Sequence, residues 1–153
     1  MAGALSETLE TGHVGLNVTN LDRSKKFYQE VFGFEVAGES DGEERRYAAL
    51  SDRKRLVLTL WQQSDGRFGA GTPGLHHLSF QVDSIEEVER AGERLRALGV
   101  AILHGGVAPH GEGAESGGIF FEDPDGIRLE IYSPRGAGGR PAPTPGVPTC
   151  GFF

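Results

Sequence analysis

Hydrophobic residues alternate with polar ones twice along this chain in the same way, and each run begins at a histidine. His13 leads Val14, Leu16 and Val18, and His77 leads Leu78, Phe80 and Val82. Period-two alternation predicts strands at about 12–19 and 75–83, with both histidines turned away from the apolar face. Each strand runs into a helix-start residue, Asn20 or Ser84, whose short side chain can accept a bond from a free backbone N–H. Leu21, Ser24, Phe27, Tyr28, Val31 and Phe32 then recur at helical spacing, as do Ile85, Val88, Ala91, Leu95 and Leu98. Ser84 and Glu87 form a capping-box sequence, and Gly33 and Gly99 suit the left-handed stop.

Three strands are predicted after each helix. The first set lies at about 34–40, 44–51 and 55–62, with turns at Asp41-Gly42 and Ser51–Lys54; the second lies at about 100–105, 116–122 and 126–133. The last two are joined by the tight-turn sequence Asp123-Pro124-Asp125-Gly126. The order is thus strand, helix and three strands, twice. A polar, glycine-rich linker at 63–74 separates modules at about 12–62 and 75–133, forming one domain over 12–133. Residues 1–11 read as a mobile arm, 105–118 as a flexible glycine-rich loop placed to act as a lid, and 134–153 as an extended or disordered Pro/Gly-rich tail. Val147, Phe152 and Phe153 are the large apolar groups of that tail. We expect Phe152 and Phe153 to dock in an apolar groove, either on a neighbouring subunit or at the mouth of the site.

The alternation also aims a carboxylate. Ile127, Leu129 and Ile131 share one face of the last strand, so Glu130 faces away with Arg128 and Tyr132. If the helices cover one face of each sheet, the other receives His13, His77 and Glu130. Two imidazoles and a carboxylate form a facial set for a divalent ion that leaves positions open. Val57, Trp61, Phe120 and Tyr132 are expected on that face as an apolar wall. His76 falls on the opposite face and is expected to pack at the strand's start.

Composition narrows the partners. In 153 residues the formal charge is −7, with no basic stripe to neutralise phosphates, which argues against nucleic acid. Cys150 is the single cysteine, so neither an intramolecular disulfide nor a thiolate cluster can form. The absence of a leader and of a long apolar run points to the cytoplasm rather than a membrane.

HVGLNVTNLDRSKKFYQEVFGFEV, GLHHLSFQV and FFEDPDGIRLEIYSP resemble the vicinal oxygen chelate superfamily, which includes glyoxalase I and extradiol dioxygenases and also fosfomycin and bleomycin resistance proteins. The resemblance implies an α+β fold in which two βαβββ modules form a cupped mixed sheet, with helices on the convex face, in a homodimer. It implies a divalent metal at His13, His77 and Glu130, iron first, with manganese, nickel or zinc as alternatives. Thr59 stands where glyoxalase I has a fourth ligand, which counts against that activity and leaves Thr59 as a substrate contact. Phe120 replaces a tyrosine of the dioxygenase pattern, while His110 lies near that pattern's acid–base histidine; from its place in a glycine-rich loop alone, it reads first as a plain surface histidine. Gly15 replaces a threonine of the fosfomycin enzymes. The expected function is a dioxygenase-like enzyme acting on a catechol- or enediol-like small molecule. The alternative is a bleomycin-resistance-type protein that sequesters an aromatic compound without chemistry.

Overall fold

The computed structural model describes Gly3 and residues 5–153; Met1, Ala2 and Ala4, part of the expected arm, lie outside the described residues. The chain divides into two compact units, residues 1–66 and 67–153.

In the first unit, β1 (Val14–Val18) is followed by α1 (Leu21–Phe32), β2 (Glu35–Ser40), β3 (Tyr47–Ser51) and β4 (Leu56–Gln62). The four-stranded sheet has the order β1-β4-β3-β2, parallel only between β1 and β4. A parallel neighbour needs a crossover, and α1 supplies it. Asn20 caps that helix by accepting from Arg23 N, and Gly33 ends it at φ 72°. The side chain of Gln62 in β4 accepts from Leu21 N at 2.8 Å, which ties the helix start to the sheet. Tyr28 and Val31 of the helix are buried, as are Leu16, Val18, Leu58 and Leu60 of β1 and β4, and α1 packs on β4 as the apolar stripe requires. In the β3–β4 turn, Asp52 accepts from Lys54 N and Arg55 N. The Arg55 and Lys54 amides hold its carboxyl below the usual range.

The second unit repeats the order with β5 (Leu78–Gln81), α2 (Ile85–Ala97), β6 (Ala108–Pro109), β7 (Gly117–Glu122) and β8 (Arg128–Ser133), in the sheet order β5-β8-β7-β6. The predicted capping box at Ser84 and Glu87 is present. The buried stripe of α2 is Ile85, Val88, Gly92 and Leu95; Leu98 is 40% exposed, because the helix ends at Ala97 and turns away through Gly99 at φ 74°. Asp123 builds the β7–β8 turn, its Oδ1 accepting from Asp125 N and Ile127 N.

Three expectations change here. The strand expected at about 100–105 is a single bridge, Ile102 to Phe121, followed by a 3-10 turn over Leu103–Gly105. Gly105 and Gly106, at φ 75° and 145°, break the extended run and move the pairing strand on to β6. The 105–118 loop is not a free lid: Ala108 and Pro109 pair with Gly118 and Gly117, and His110 N donates to Ser116 O at 2.9 Å. Its paired glycines serve packing. A Cβ on Gly117 would come 2.6 Å from Ala108 O and 2.6 Å from the Ala137 Cβ.

The segment after β8 is built in as well, contrary to its composition. Ala137 and Thr149 are fully buried, Ala137 N donates to Glu115 O, and Thr149 N donates to His110 O. Each backbone amide is satisfied from β6 or its loop, which a count of Pro and Gly does not reveal. Of the two rings expected to dock, Phe153 lies 5.6 Å from the rings of His77 and Phe120, whereas Phe152 is 45% exposed.

Candidate functional site

Sheet register decides which side chains share a face in the second unit. Glu130 in β8 pairs with Ser79 in β5 and Phe120 in β7. His77, two residues before Ser79, has the same parity, so His77, Phe120, Glu130 and Tyr132 lie on one face while Leu129 and Ile131 lie on the other.

On that face Glu130 is 2% exposed. A buried carboxylate needs partners, and it has two. One oxygen, Oε1, accepts a hydrogen bond from His110 Nε2, while Oε2 lies 3.7 Å from His77 Nε2. An ionised carboxylate only accepts, so His110 carries its proton on Nε2; its Nδ1 lies 2.9 Å from Ser116 Oγ, so the ring is fixed at both nitrogens. Burial pushes the His77 imidazole below its ordinary pKa, against the pull of Glu130, and favours its neutral, electron-donating form. His77 Nδ1 is 2.8 Å from Nδ1 of His76. His76 is exposed rather than packed at the strand's start.

These groups open into a cavity of about 530 Å³ whose walls include Ser79, Gln81, Tyr132 and Cys150. Tyr132 donates its hydroxyl proton to Gln81 Oε1 at 2.8 Å, and its ring lies 5.2 Å from that of His110. Burial, seconded by Glu130, pushes the Cys150 thiol up, so it remains protonated and is not a ready nucleophile. Phe120 is fully buried beneath the site. Alternation along β5 identifies Ser79 and Gln81 in the sequence; Ser116 and Cys150 arrive through long-range packing, for which the chain carries no local signal.

The remaining predicted residues belong to the first unit. His13 is exposed, one residue ahead of β1. Gly15 pairs with Thr59, and a Cβ on Gly15 would lie 3.3 Å from Thr59 Oγ1, so a larger residue there would crowd this strand pair. By alternation Val57, Thr59 and Trp61 share the face opposite buried Leu58 and Leu60, and Trp61 stacks on Tyr47 with centroids 4.9 Å apart.

The donor set suits a divalent ion in part. With bonds near 2.1 Å, two donors on one ion lie about 3–4 Å apart, and the 3.7 Å between His77 Nε2 and Glu130 Oε2 falls in that range. Among the described residues no group of three or more His, Cys, Asp or Glu side chains is arranged to hold an ion, so this pair requires further ligands. No described helix is long and apolar enough to cross a membrane.

Residues 11–131 match the family model described as the Glyoxalase/Bleomycin resistance protein/Dioxygenase superfamily. A catechol-2,3-dioxygenase of Bacillus subtilis (strain 168) is 30% identical over 86% of this chain and 44% of its own length. A 1,2-dihydroxynaphthalene dioxygenase of Sphingobium xenophagum is 29% identical over 97% of this chain and 47% of its own. The chain therefore spans about half the length of these curated relatives. Among solved structures, a glyoxylase/bleomycin resistance protein/dioxygenase domain from Frankia sp. EAN1pec superposes with a TM-score of 0.72 at 26% identity, covering 84% of this chain and 94% of that one. Members of the family bind small molecules and use divalent metals. Paired modules, their register and the matched span agree: this chain belongs to the glyoxalase, bleomycin resistance protein and dioxygenase superfamily, the vicinal oxygen chelate proteins.

Proposed function

We propose that this chain is a divalent-metal-dependent enzyme of extradiol dioxygenase type, acting on a flat, mainly apolar molecule with two neighbouring oxygens. His77 and Glu130 would hold the ion, with His13 as the third ligand by resemblance. The observation that carries this reading is the buried Glu130 carboxylate, which directs one oxygen at a neutral histidine and the other at a histidine able to move a proton. When bound, the ion supplies a Lewis acid and an anchor for adjacent oxygens, with iron first and manganese, nickel or zinc as alternatives. His110 holds a proton at Nε2 within reach of the cavity and acts as the acid–base group. Tyr132 lines the cavity and is the proposed apolar contact for the substrate ring, while Phe120, on the same face, is fully buried and backs the site; Val57, Thr59 and Trp61 are the proposed contacts from the first unit.

One observation favours the second reading, a protein that sequesters aromatic compounds. The His110 bond already satisfies Glu130, so the buried carboxylate does not depend on a metal. Metal analysis of protein purified without chelators separates the two. The enzyme reading expects about one ion per chain and ring opening of catechol-type diols under air. Metal-free protein that binds planar aromatics, and turns over none after loading with iron or manganese, would sink it.

We also propose that the chain works as a homodimer. Each four-stranded sheet ends in two strands that are unpaired on one side within that sheet, and in the arm Leu5 and Leu9 are 95% and 82% exposed. Such edges and apolar groups invite a second copy. Sedimentation at micromolar concentration is expected to give about twice the chain mass; a clean monomer removes the proposal.

A further inference from the structure

Residues 149–153 lie beside the Glu130 face with one firm attachment and one loose one. Thr149 is fully buried: its Oγ1 donates to Pro109 O at 2.6 Å, and its amide to His110 O at 2.9 Å. Beyond this latch the chain is held lightly. Gly151 and Phe152 are exposed, and a Cβ on Gly151 would meet nothing within 4 Å. An exposed bond of 2.9 Å joins His104 Nε2 to Phe152 O.

The Phe153 ring, half-buried, completes the arrangement. Its centroid lies 5.6 Å from that of His77 at a tilt of 35°, and 5.6 Å from that of Phe120, which meets it edge to face. The Arg128 guanidinium carbon is 5.4 Å from the same ring centre. A cation, an imidazole ring and an aromatic edge are what a flat aromatic ligand finds favourable. Here one of the chain's own side chains meets all three.

We infer that Phe153 is a displaceable internal occupant of an aromatic subsite beside Glu130. A planar aromatic ligand, favoured if it carries negative charge toward Arg128, enters as residues 150–153 lift while Thr149 stays latched. The inference rests on the proposed reading only in taking this face as the ligand-binding one. Competition lowers apparent affinity by the fraction of time the subsite is open, so removing the ring strengthens binding without any new contact.

The test uses the metal-free protein and the fluorescent anion anilinonaphthalenesulfonate. Phe153→Ala is expected to bind the dye about 3- to 10-fold more tightly than the parent, corresponding to an open fraction of about 0.1–0.3 in the parent. Phe153→Leu, which keeps an apolar tip without the aromatic face, should fall between the two. Circular dichroism melts confirm that each variant is folded. Unchanged, weaker or undetectable dye binding in Phe153→Ala overturns the inference, weaker binding because the ring would then be a wall of the subsite. Manganese binding, followed in parallel by paramagnetic resonance, separates the two readings. Ion binding with no change for the dye removes only the displaceable ring, and tighter dye binding with no ion binding removes only the metal-enzyme reading.

Discussion

Replacing Glu130 with glutamine is expected to abolish metal binding while leaving the fold in place. Gln has the same shape, and its amide oxygen can still accept from His110 Nε2, so the buried position is not left unsatisfied. What disappears is the negative charge, the feature of this side chain that a divalent ion requires. Bound ion stabilises a native protein by about 2.7 kcal/mol at one hundred times its dissociation constant, and about 1 kcal/mol moves the melting temperature of a chain this size by roughly 2–4 °C. Saturating metal should therefore raise the melting temperature of the parent by about 5–11 °C and leave Glu130→Gln unmoved. Metal-free melting temperatures of the two should agree within a few degrees. Equal metal content in both proteins would mean that Glu130 is a structural carboxylate paired to His110 and not a ligand.

Local chemistry wrote much of this fold into the sequence. Asn20 and Ser84 cap their helices because a short acceptor fits the free N–H groups at those positions wherever the helix sits. Period-two alternation in β8 placed Glu130 opposite Leu129 and Ile131 for the same reason, since neighbours along a strand must face opposite ways. β6 is different. Two residues long and containing a proline, it exists because Gly117 and Gly118 pair with it across an intervening loop, and no window of sequence around Ala108 contains that information. Glycine there signalled flexibility to a compositional reading, whereas the structure uses it for want of space beside Ala108 and Ala137. The last segment repeats the lesson. Its Pro and Gly content predicts a free chain, and two hydrogen bonds at Thr149 outweigh that expectation.

The same distinction separates the parts of the site. His77 and Glu130 could be assigned to one face from alternation, because each belongs to or adjoins a strand of that sheet. His110 could be named only as a histidine in a glycine-rich loop, where the plainer reading is a surface residue. It reaches Glu130 because β6 carries it there, because Ser116 turns its ring, and because the Thr149 amide binds its carbonyl. Three separate elements of the second unit converge on one imidazole. Such an investment is more than a surface histidine requires, and it makes His110 the informative residue to change next.

His110→Ala is expected to lower kcat by about 100- to 10,000-fold, the usual range for loss of a positioned acid–base group. Its effect on metal affinity should be smaller. Because His110 donates to the Glu130 oxygen that faces away from His77, it orients a proposed ligand from outside, and losing such a partner costs about 10- to 100-fold in affinity or activity. At metal concentrations that restore full occupancy, an orienting role predicts recovery of most activity, whereas an acid–base role predicts that the deficit in kcat persists with KM little changed. Added imidazole sharpens the distinction, since a small free base can occupy the space left by the side chain and carry a proton without being attached to β6. Partial rescue by imidazole at full metal occupancy is the expected result. Activity that returns with metal alone would reduce His110 to a residue that positions Glu130, and the proton would then have to be handled by another group lining the cavity.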